Sequence, residues 1–317
     1  MSLTGLLINN NQIKTLFASL PNLKNSFVSM DKDVAYPSKP PIIVQRGSRG
    51  TPVIGQAYDY MFRAYVQRLN GIHQEQNGHN LAASIVVEHL EDDIINLAFN
   101  EIIERRNDYI TGVSALTADC IRDAVRLGQL EQLYRSGVGE TENLLQVSDE
   151  DVDDLQALME ATNGHSRLFC GSNIVCNPSF GEAVTALVDG ADGDIIIGDM
   201  LIDVKTESEF RCKIGQSRQL IAYWILSCLT PGFKPEIKQL AIWNPRYCRL
   251  VSIHVEDICR AINMIDFVDQ FVSIITADNF EGSEHLSPLQ RRTYANMVKN
   301  QWESADNPIR QLYQNEP

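Results

Sequence analysis

Apolar residues recur with two periodicities along the chain. Helical spacing runs through residues 3–20 (LTGLLINNNQIKTLFASL), 54–70 (IGQAYDYMFRAYVQRLN), 80–106 and 115–136, and predicts four helices. In the second of these, Ala57, Tyr58, Met61, Phe62 and Tyr65 share a face. Ser148, followed by Asp151, resembles a capping box with Asp in the last place and opens a short acidic helix to about residue 161. Between the first two helices, residues 21–53 carry YPSKPP and RGSRGTP and predict an extended arm. From residue 166 the texture changes to β-branched residues and turn signals. Strands are predicted at 183–188, 194–197, 200–205, 237–243 and 249–254. Helices are predicted at 218–230, 255–277 and 286–305, before a polar tail expected to fray. This alternation predicts an α/β fold with a mixed β-sheet flanked by helices and a large helical N-terminal part. The segments divide into 1–53 (helix and basic arm), 54–165 (helical) and 166–317 (sheet core with C-terminal helices).

One hairpin concentrates the chemistry. Asp194 to Ile197 is a short apolar strand after its first residue, Gly198-Asp199 is a two-residue turn with Gly first, and Met200 to Lys205 is the return strand. That turn order suits a type II′ hairpin. In the resulting register Ile197 faces Met200, Asp194 faces Asp203, and Asp192 faces Lys205. Alternation puts Asp194, Asp203 and Lys205 on one side and Ile195, Ile202 and Val204 on the other. Opposed carboxylates in a sheet repel. A divalent cation between them is the simplest compensation, because Mg²⁺ is held by one or two carboxylates plus water and phosphate oxygens. Lys205 then orients or deprotonates a water, or stabilises charge developing on a phosphate. Asp192 either pairs with Lys205 or joins the cation. Glu101, Glu104 and Glu182 are further acids by residue type alone.

The order Asp194, then Asp203-x-Lys205, resembles the PD-(D/E)XK phosphodiesterase superfamily, with Gly193 in place of the family's variable Pro and Asp203 in place of the commoner Glu. Downstream, Gln219-x-x-x-Tyr223 lies on one helical face and resembles the Gln-x-x-x-Tyr motif of RecB-like nucleases. Upstream, Gly55-x-x-x-Asp59 stands where those nucleases carry Gly-x-x-x-His, with Asp59 in place of the metal-binding His. The resemblance implies a restriction-endonuclease-like core and a Mg²⁺- or Mn²⁺-dependent nuclease acting on nucleic acid, with DNA the expected substrate, in repair, recombination or defence against foreign DNA. Asp194, Asp203 and Asp59 would hold the metal, Lys205 would position the attacking water, and Gln219 and Tyr223 would place the phosphodiester. Arg218, with Lys213 and Arg211, would add local positive charge, and Arg246 either approaches the substrate or caps the sheet.

Charge tempers this expectation. The net charge is −14, which argues against a broad basic surface and leaves only local grooves, such as Lys39, Arg46 and Arg49 in the arm, to meet a phosphate backbone. An inactive nuclease-fold protein that binds nucleic acid or a protein partner, or assembles as a homo-oligomer, is therefore the alternative reading. An incidental hairpin on a helical scaffold is the third. No run approaches the ~20 apolar residues of a membrane helix, so no membrane role is expected. The seven cysteines form no C-x₂-C pair, which argues against zinc, and with no basic segment before the first apolar residues they predict reduced thiols in a cytoplasmic protein.

Overall fold

Six strands form one mixed sheet in the order β1-β6-β5-β4-β3-β2. They are β1 (Val28–Ser29), β2 (Val175–Cys176), β3 (Ile195–Ile197), β4 (Met200–Val204), β5 (Gln239–Asn244) and β6 (Arg249–His254). These come from a computed structural model that describes residues 2–30, 40–47, 52–72, 81–90, 92–136, 144–210 and 212–314. Strands β2, β3 and β4 run antiparallel in turn, β4 pairs parallel with β5, and β6 returns antiparallel. The parallel step requires a crossover, and helix α9 (Ile214–Cys228) supplies it. The remaining helices in chain order are α1 (Leu3–Asn9), α2 (Asn11–Ala18), α3 (Pro52–Leu69), α4 (Ala82–Leu90), α5 (Asp93–Thr111), α6 (Ala118–Ser136), α7 (Asp149–Asn163), α8 (Glu182–Leu187), α10 (Val255–Ala261), α11 (Met264–Ile275), α12 (Pro288–Glu303) and α13 (Pro308–Gln314).

Helices cover both faces, so the central strands are apolar at nearly every position rather than at alternate ones. On one face Ile196, Leu201, Leu240, Ile242, Val251 and Ile253 meet α1, α2, α9 and α11. On the other, Ile195, Ile202, Ala241, Trp243 and Leu250 meet α3, α6 and α7. The N-terminal helices thus belong to the core formed with the C-terminal ones, and β1 adds residues 28–29 to the sheet edge beside β6.

The hairpin forms in the predicted register, with Ile195 opposite Ile202 and Ile197 opposite Met200. Gly198 has φ +66°, the sign a type II′ turn demands of its first residue. Three predicted helices are each two. Asn10, Asp92 and Asn263 interrupt the apolar periodicity as N-caps whose carboxamide or carboxylate oxygens accept backbone N–H bonds from the helix that follows. The predicted strand at 183–188 is instead helix α8: Glu182, Ala183, Ala186 and Leu187 favour a helix, and Asp189 (φ +57°) with Gly190 ends it. Val175–Cys176 takes the place beside β3. The tail does not simply fray. Helix α13 buries Ile309, and the Tyr313 hydroxyl donates to backbone oxygens of Cys259 and Ile262.

Helix α3 lies across the sheet and is fixed there at several points. Trp243 on β5 donates its indole N–H to the Tyr58 hydroxyl at 2.8 Å, and that hydroxyl also bonds Thr162 of α7 at 2.7 Å. Against α6 the contact is backbone to backbone: a Cβ on Gly128 would lie 2.7 Å from the Val53 carbonyl oxygen. The residue after Tyr58 is the predicted acid Asp59.

Candidate functional site

Asp194 lies immediately before β3, and its Oδ2 accepts the Val204 backbone N–H at 2.6 Å, which ties the carboxylate across the hairpin. Asp203, second to last in β4, is 4% exposed. Its Oδ1 accepts from Lys205 Nζ at 2.7 Å, while its Oδ2 is buried without a donor. Alternation therefore does what the pattern predicts: Asp203 and Lys205 project from the same side of one strand and meet.

Asp59 of α3 reaches the same region. The Asp194 charge raises the pKa of both Asp59 and Asp203. Arg63, one helical turn on, donates to Asp59 Oδ2, and Asp59 Oδ1 is buried without a donor. Each of these two carboxylates is thus half satisfied. A buried acceptor with no donor costs about 1–3 kcal/mol, more when charged. Burial pushes Asp59 up to about 7, against the pull of Arg63. Burial pushes Asp203 up to about 6, against the pull of Lys205. For Lys205, burial favours the neutral amine, but Asp203 and Asp194 outweigh it and hold the group above the usual lysine range. Lys205 is therefore an ammonium at neutral pH. In that form it donates hydrogen bonds and stabilises negative charge.

Helix α9 brings Gln219 and Tyr223 to this centre. Gln219 Nε2 donates to the Tyr223 hydroxyl at 2.9 Å and to Thr4 Oγ1 of α1 at 3.1 Å. Burial, then the charges of Asp194 and Asp203, push the phenol up to about 12, which puts its oxygen in the field of both carboxylates. Sequence reasoning missed Thr4, which lies 215 residues from Gln219. It also missed Glu131 of α6, buried beside Asp59 and bonded to Arg135, since nothing in a helix sequence marks which acid turns inward.

Other predicted residues lie elsewhere. Arg246 is 2% exposed and wholly engaged: it forks onto Asp154 at 2.8 and 2.9 Å and donates to the Thr206 and Gln45 carbonyls. It joins the arm, α7 and the segment after β4, and it does not face a substrate. Asp192 does not face Lys205. The β3–β4 ladder stops short of it, residue 192 bridges to Ser179, and the Lys205 N–H bonds Trp243 of β5. Burial raises the Asp192 pKa, and Arg135 and Arg63 oppose the rise. Glu101 and Glu104 face solvent, Glu101 beside Arg105, and Glu182 accepts from the Tyr294 hydroxyl. Arg218 is partly exposed on α9, one residue before Gln219, and its Nε has no hydrogen-bond partner. Lys213 pairs with Glu207 at 2.7 Å in a cleft of about 380 Å³ that Arg46, Gly55 and Thr206 also line. Lys39, Arg49 and Arg211 lie outside the described residues.

The chemistry of the centre fits a small divalent cation. Asp194 and Asp203 flank the last paired position of the hairpin, Ile195 opposite Ile202, and the orphaned oxygens of Asp203 and Asp59 lack any donor. Among the described residues, no three His, Cys, Asp or Glu side chains are grouped to hold a metal ion, so Asp59 does not form one ligand set with Asp194 and Asp203. Mg²⁺ does not need three, since it is held by one or two carboxylates and keeps several waters. No helix among the described residues is long and apolar enough to cross a membrane. No family model, curated protein or solved structure matches the chain.

Proposed function

We propose that the chain is a Mg²⁺- or Mn²⁺-dependent nuclease of the PD-(D/E)XK type that hydrolyses phosphodiester bonds of DNA. The observation that carries this reading is the pair Asp194 and Asp203: Asp194 Oδ2 accepts the backbone N–H of Val204, the residue after Asp203, and Asp203 has a buried donorless oxygen with Lys205 bonded to its other oxygen. The strand order supports the restriction-endonuclease-like reading of the sheet, because the Asp203-x-Lys205 strand leads through α9 to a parallel neighbour.

In this reading Asp194 and Asp203 hold the cation with waters, and Asp59 joins them only on a side-chain shift away from Arg63. A bound divalent cation supplies an acidified water and neutralises charge on the phosphate. Lys205 as an ammonium donates to the attacking water or to a non-bridging phosphate oxygen. Tyr223 offers its hydroxyl from α9, and Arg46 and Lys213 offer positive charge along the neighbouring cleft. Lys205→Ala is expected to abolish Mn²⁺-dependent cleavage of DNA while leaving the circular dichroism spectrum and unfolding midpoint near wild type. Undiminished cleavage by that variant would sink the reading.

A second reading, an inactive nuclease-fold binder, is favoured by one observation. Protein cations already sit on two of the three carboxylates, Lys205 on Asp203 and Arg63 on Asp59. Mn²⁺ titration followed by electron paramagnetic resonance separates the two. Binding that Asp203→Asn removes supports the nuclease. No binding at millimolar Mn²⁺, with no cleavage of single-stranded DNA, duplex DNA or RNA, supports the binder.

A further inference from the structure

Three successive carbonyl groups after Lys205 are held by the turn between β5 and β6. Thr206 O accepts from Arg246 Nε at 2.9 Å, Glu207 O from Asn244 Nδ2 at 2.9 Å, and Ser208 O from the Tyr247 hydroxyl. The backbone here is fixed, while the hydroxyls of Thr206 and Ser208, which line the cleft of about 380 Å³, have no hydrogen-bond partner among the described residues. A Cβ on Gly55 would lie 3.1 Å from Thr206 Oγ1, so the glycine leaves room beside that hydroxyl. Arg46 is placed from another wall of the same cleft. Arg246 Nη1 donates to the Gln45 carbonyl at 3.1 Å, and the Gly47 N–H donates to Asp154 Oδ2 at 3.3 Å. The Arg246–Asp154 pair therefore grips the backbone on both sides of Arg46. The Arg46 side chain itself is exposed and has no hydrogen-bond or ion-pair partner among the described residues. Glu207 and Glu209 also line the cleft. Glu207 is already engaged, pairing with Lys213 Nζ at 2.7 Å and accepting from Gln216 Nε2 at 3.3 Å. An unmatched guanidinium beside two unmatched hydroxyls is a donor set for an oxyanion, and the guanidinium fork suits a phosphate.

We infer that this cleft is a phosphate subsite, which takes the phosphate next to the scissile one on the DNA strand. Arg46 forks onto that phosphate, Thr206 and Ser208 donate to it, and Glu207 competes with it for Lys213. The Arg246–Asp154 pair is a positioning device for Arg46. The inference rests on the nuclease reading for which phosphate this is, and on the donor set for the anion itself. It also gives the buried Arg246 a part in binding at one remove: it touches no substrate, and it holds in place the arginine that does.

Fluorescence anisotropy of a labelled single-stranded DNA oligonucleotide in EDTA, over a range of salt, reads binding without chemistry. Arg46→Ala is expected to weaken binding about tenfold, the worth of hydrogen bonds to a charged group, and to lower the slope of log affinity on log salt by about 0.7, the loss of one phosphate contact. Glu207→Gln releases Lys213 and is expected to act in the opposite sense, tightening binding and steepening the slope. Arg246→Met with Asp154→Leu, an apolar replacement of the whole pair, is expected to bind at least as weakly as Arg46→Ala. Adding Arg46→Ala to it is expected to cost little further, because Arg46 is already out of place. No binding by the wild type, or an affinity and salt slope unchanged in Arg46→Ala, overturns the subsite. In the second case cleavage in Mn²⁺ that persists leaves the nuclease reading standing. Binding that depends on Arg46 as described, with no cleavage by the wild type in Mn²⁺, supports the subsite and removes the nuclease reading.

Discussion

The half-satisfied carboxylates make the metal-free protein sensitive to pH in an unusual direction. Asp203 and Asp59 are pushed up to about 6 and about 7, both chiefly by burial. An acid whose pKa is higher in the folded state binds its proton more tightly there than in the unfolded chain. Folded protein then carries more bound protons over the interval between the two values, and stability falls as pH rises through it. Below pH 5 ordinary carboxylates also titrate, so the informative window is pH 5 to 7.5. Each pKa unit is worth about 1.4 kcal/mol, which gives roughly 1 kcal/mol for Asp203 and roughly 3 kcal/mol for Asp59 across that window. The two share Asp194 as a neighbour and will not add in full, so a loss of about 3 kcal/mol is expected. The assay is urea unfolding in EDTA at several pH values, with Asp59→Asn and Asp203→Asn as controls. Each control should flatten the slope, and the double variant should nearly abolish it. Mn²⁺ at about 100 times its Kd should return roughly 2.7 kcal/mol at pH 7.5 and much less at pH 5, where protons compete for the same oxygens. Stability that is flat or rises from pH 5 to 7.5 in EDTA would refute the reasoning. So would a wild-type slope in the double variant.

Three other outcomes follow from particular contacts. Arg246→Met should destabilise by about 3–5 kcal/mol, because Asp154 is left buried without its fork, and Arg246→Met with Asp154→Leu should recover most of that in urea unfolding. Gly128→Ala should cost about 1–3 kcal/mol by driving α3 away from α6, and should also weaken Mn²⁺ binding, since α3 carries Asp59. Arg63→Gln should shift cation preference toward Ca²⁺ by about tenfold in competition against Mn²⁺, because a released Asp59 can offer both oxygens and Ca²⁺ accepts bidentate carboxylates readily where Mg²⁺-like ions do not.

What could be read from the chain was what is local. The Gly198-Asp199 turn fixes the register within a few residues, so the pairing of Ile195 with Ile202, next to both acids, follows from sequence alone. The Ser148 cap and the helical faces of α3 and α9 are equally short-range. The helix breaks at Asn10, Asp92 and Asn263 were hidden because a cap inside a long apolar period preserves the period while stopping the helix. Helix α8 was misread because Val184 and Thr185 favour a strand and only the packing of Ala183, Val184 and Leu187 decides the matter. Long-range facts had no local trace. Arg246 and Asp154 are 92 residues apart, and an isolated arginine in a turn gives no sign that it will be buried. Asp192 was misplaced by extending a ladder that in fact ends near Ile195, where β2 takes over the pairing.

The spread of the site along the chain has a kinetic consequence. Its parts come from α1, α3, the β3–β4 hairpin and α9, that is from residue 4 to residue 223. No local segment, and no chain halted partway through synthesis, can bring Thr4, Asp59, Lys205 and Tyr223 together. The hairpin forms early because its contacts are local, but the walls that complete it arrive only through loop closures of more than a hundred residues, which are slow steps in folding. A partly folded chain would thus hold Asp59 and Tyr223 away from the Asp203 and Lys205 of the hairpin and stay chemically silent. Competence would appear in a single late step, when the first helix docks against the ninth.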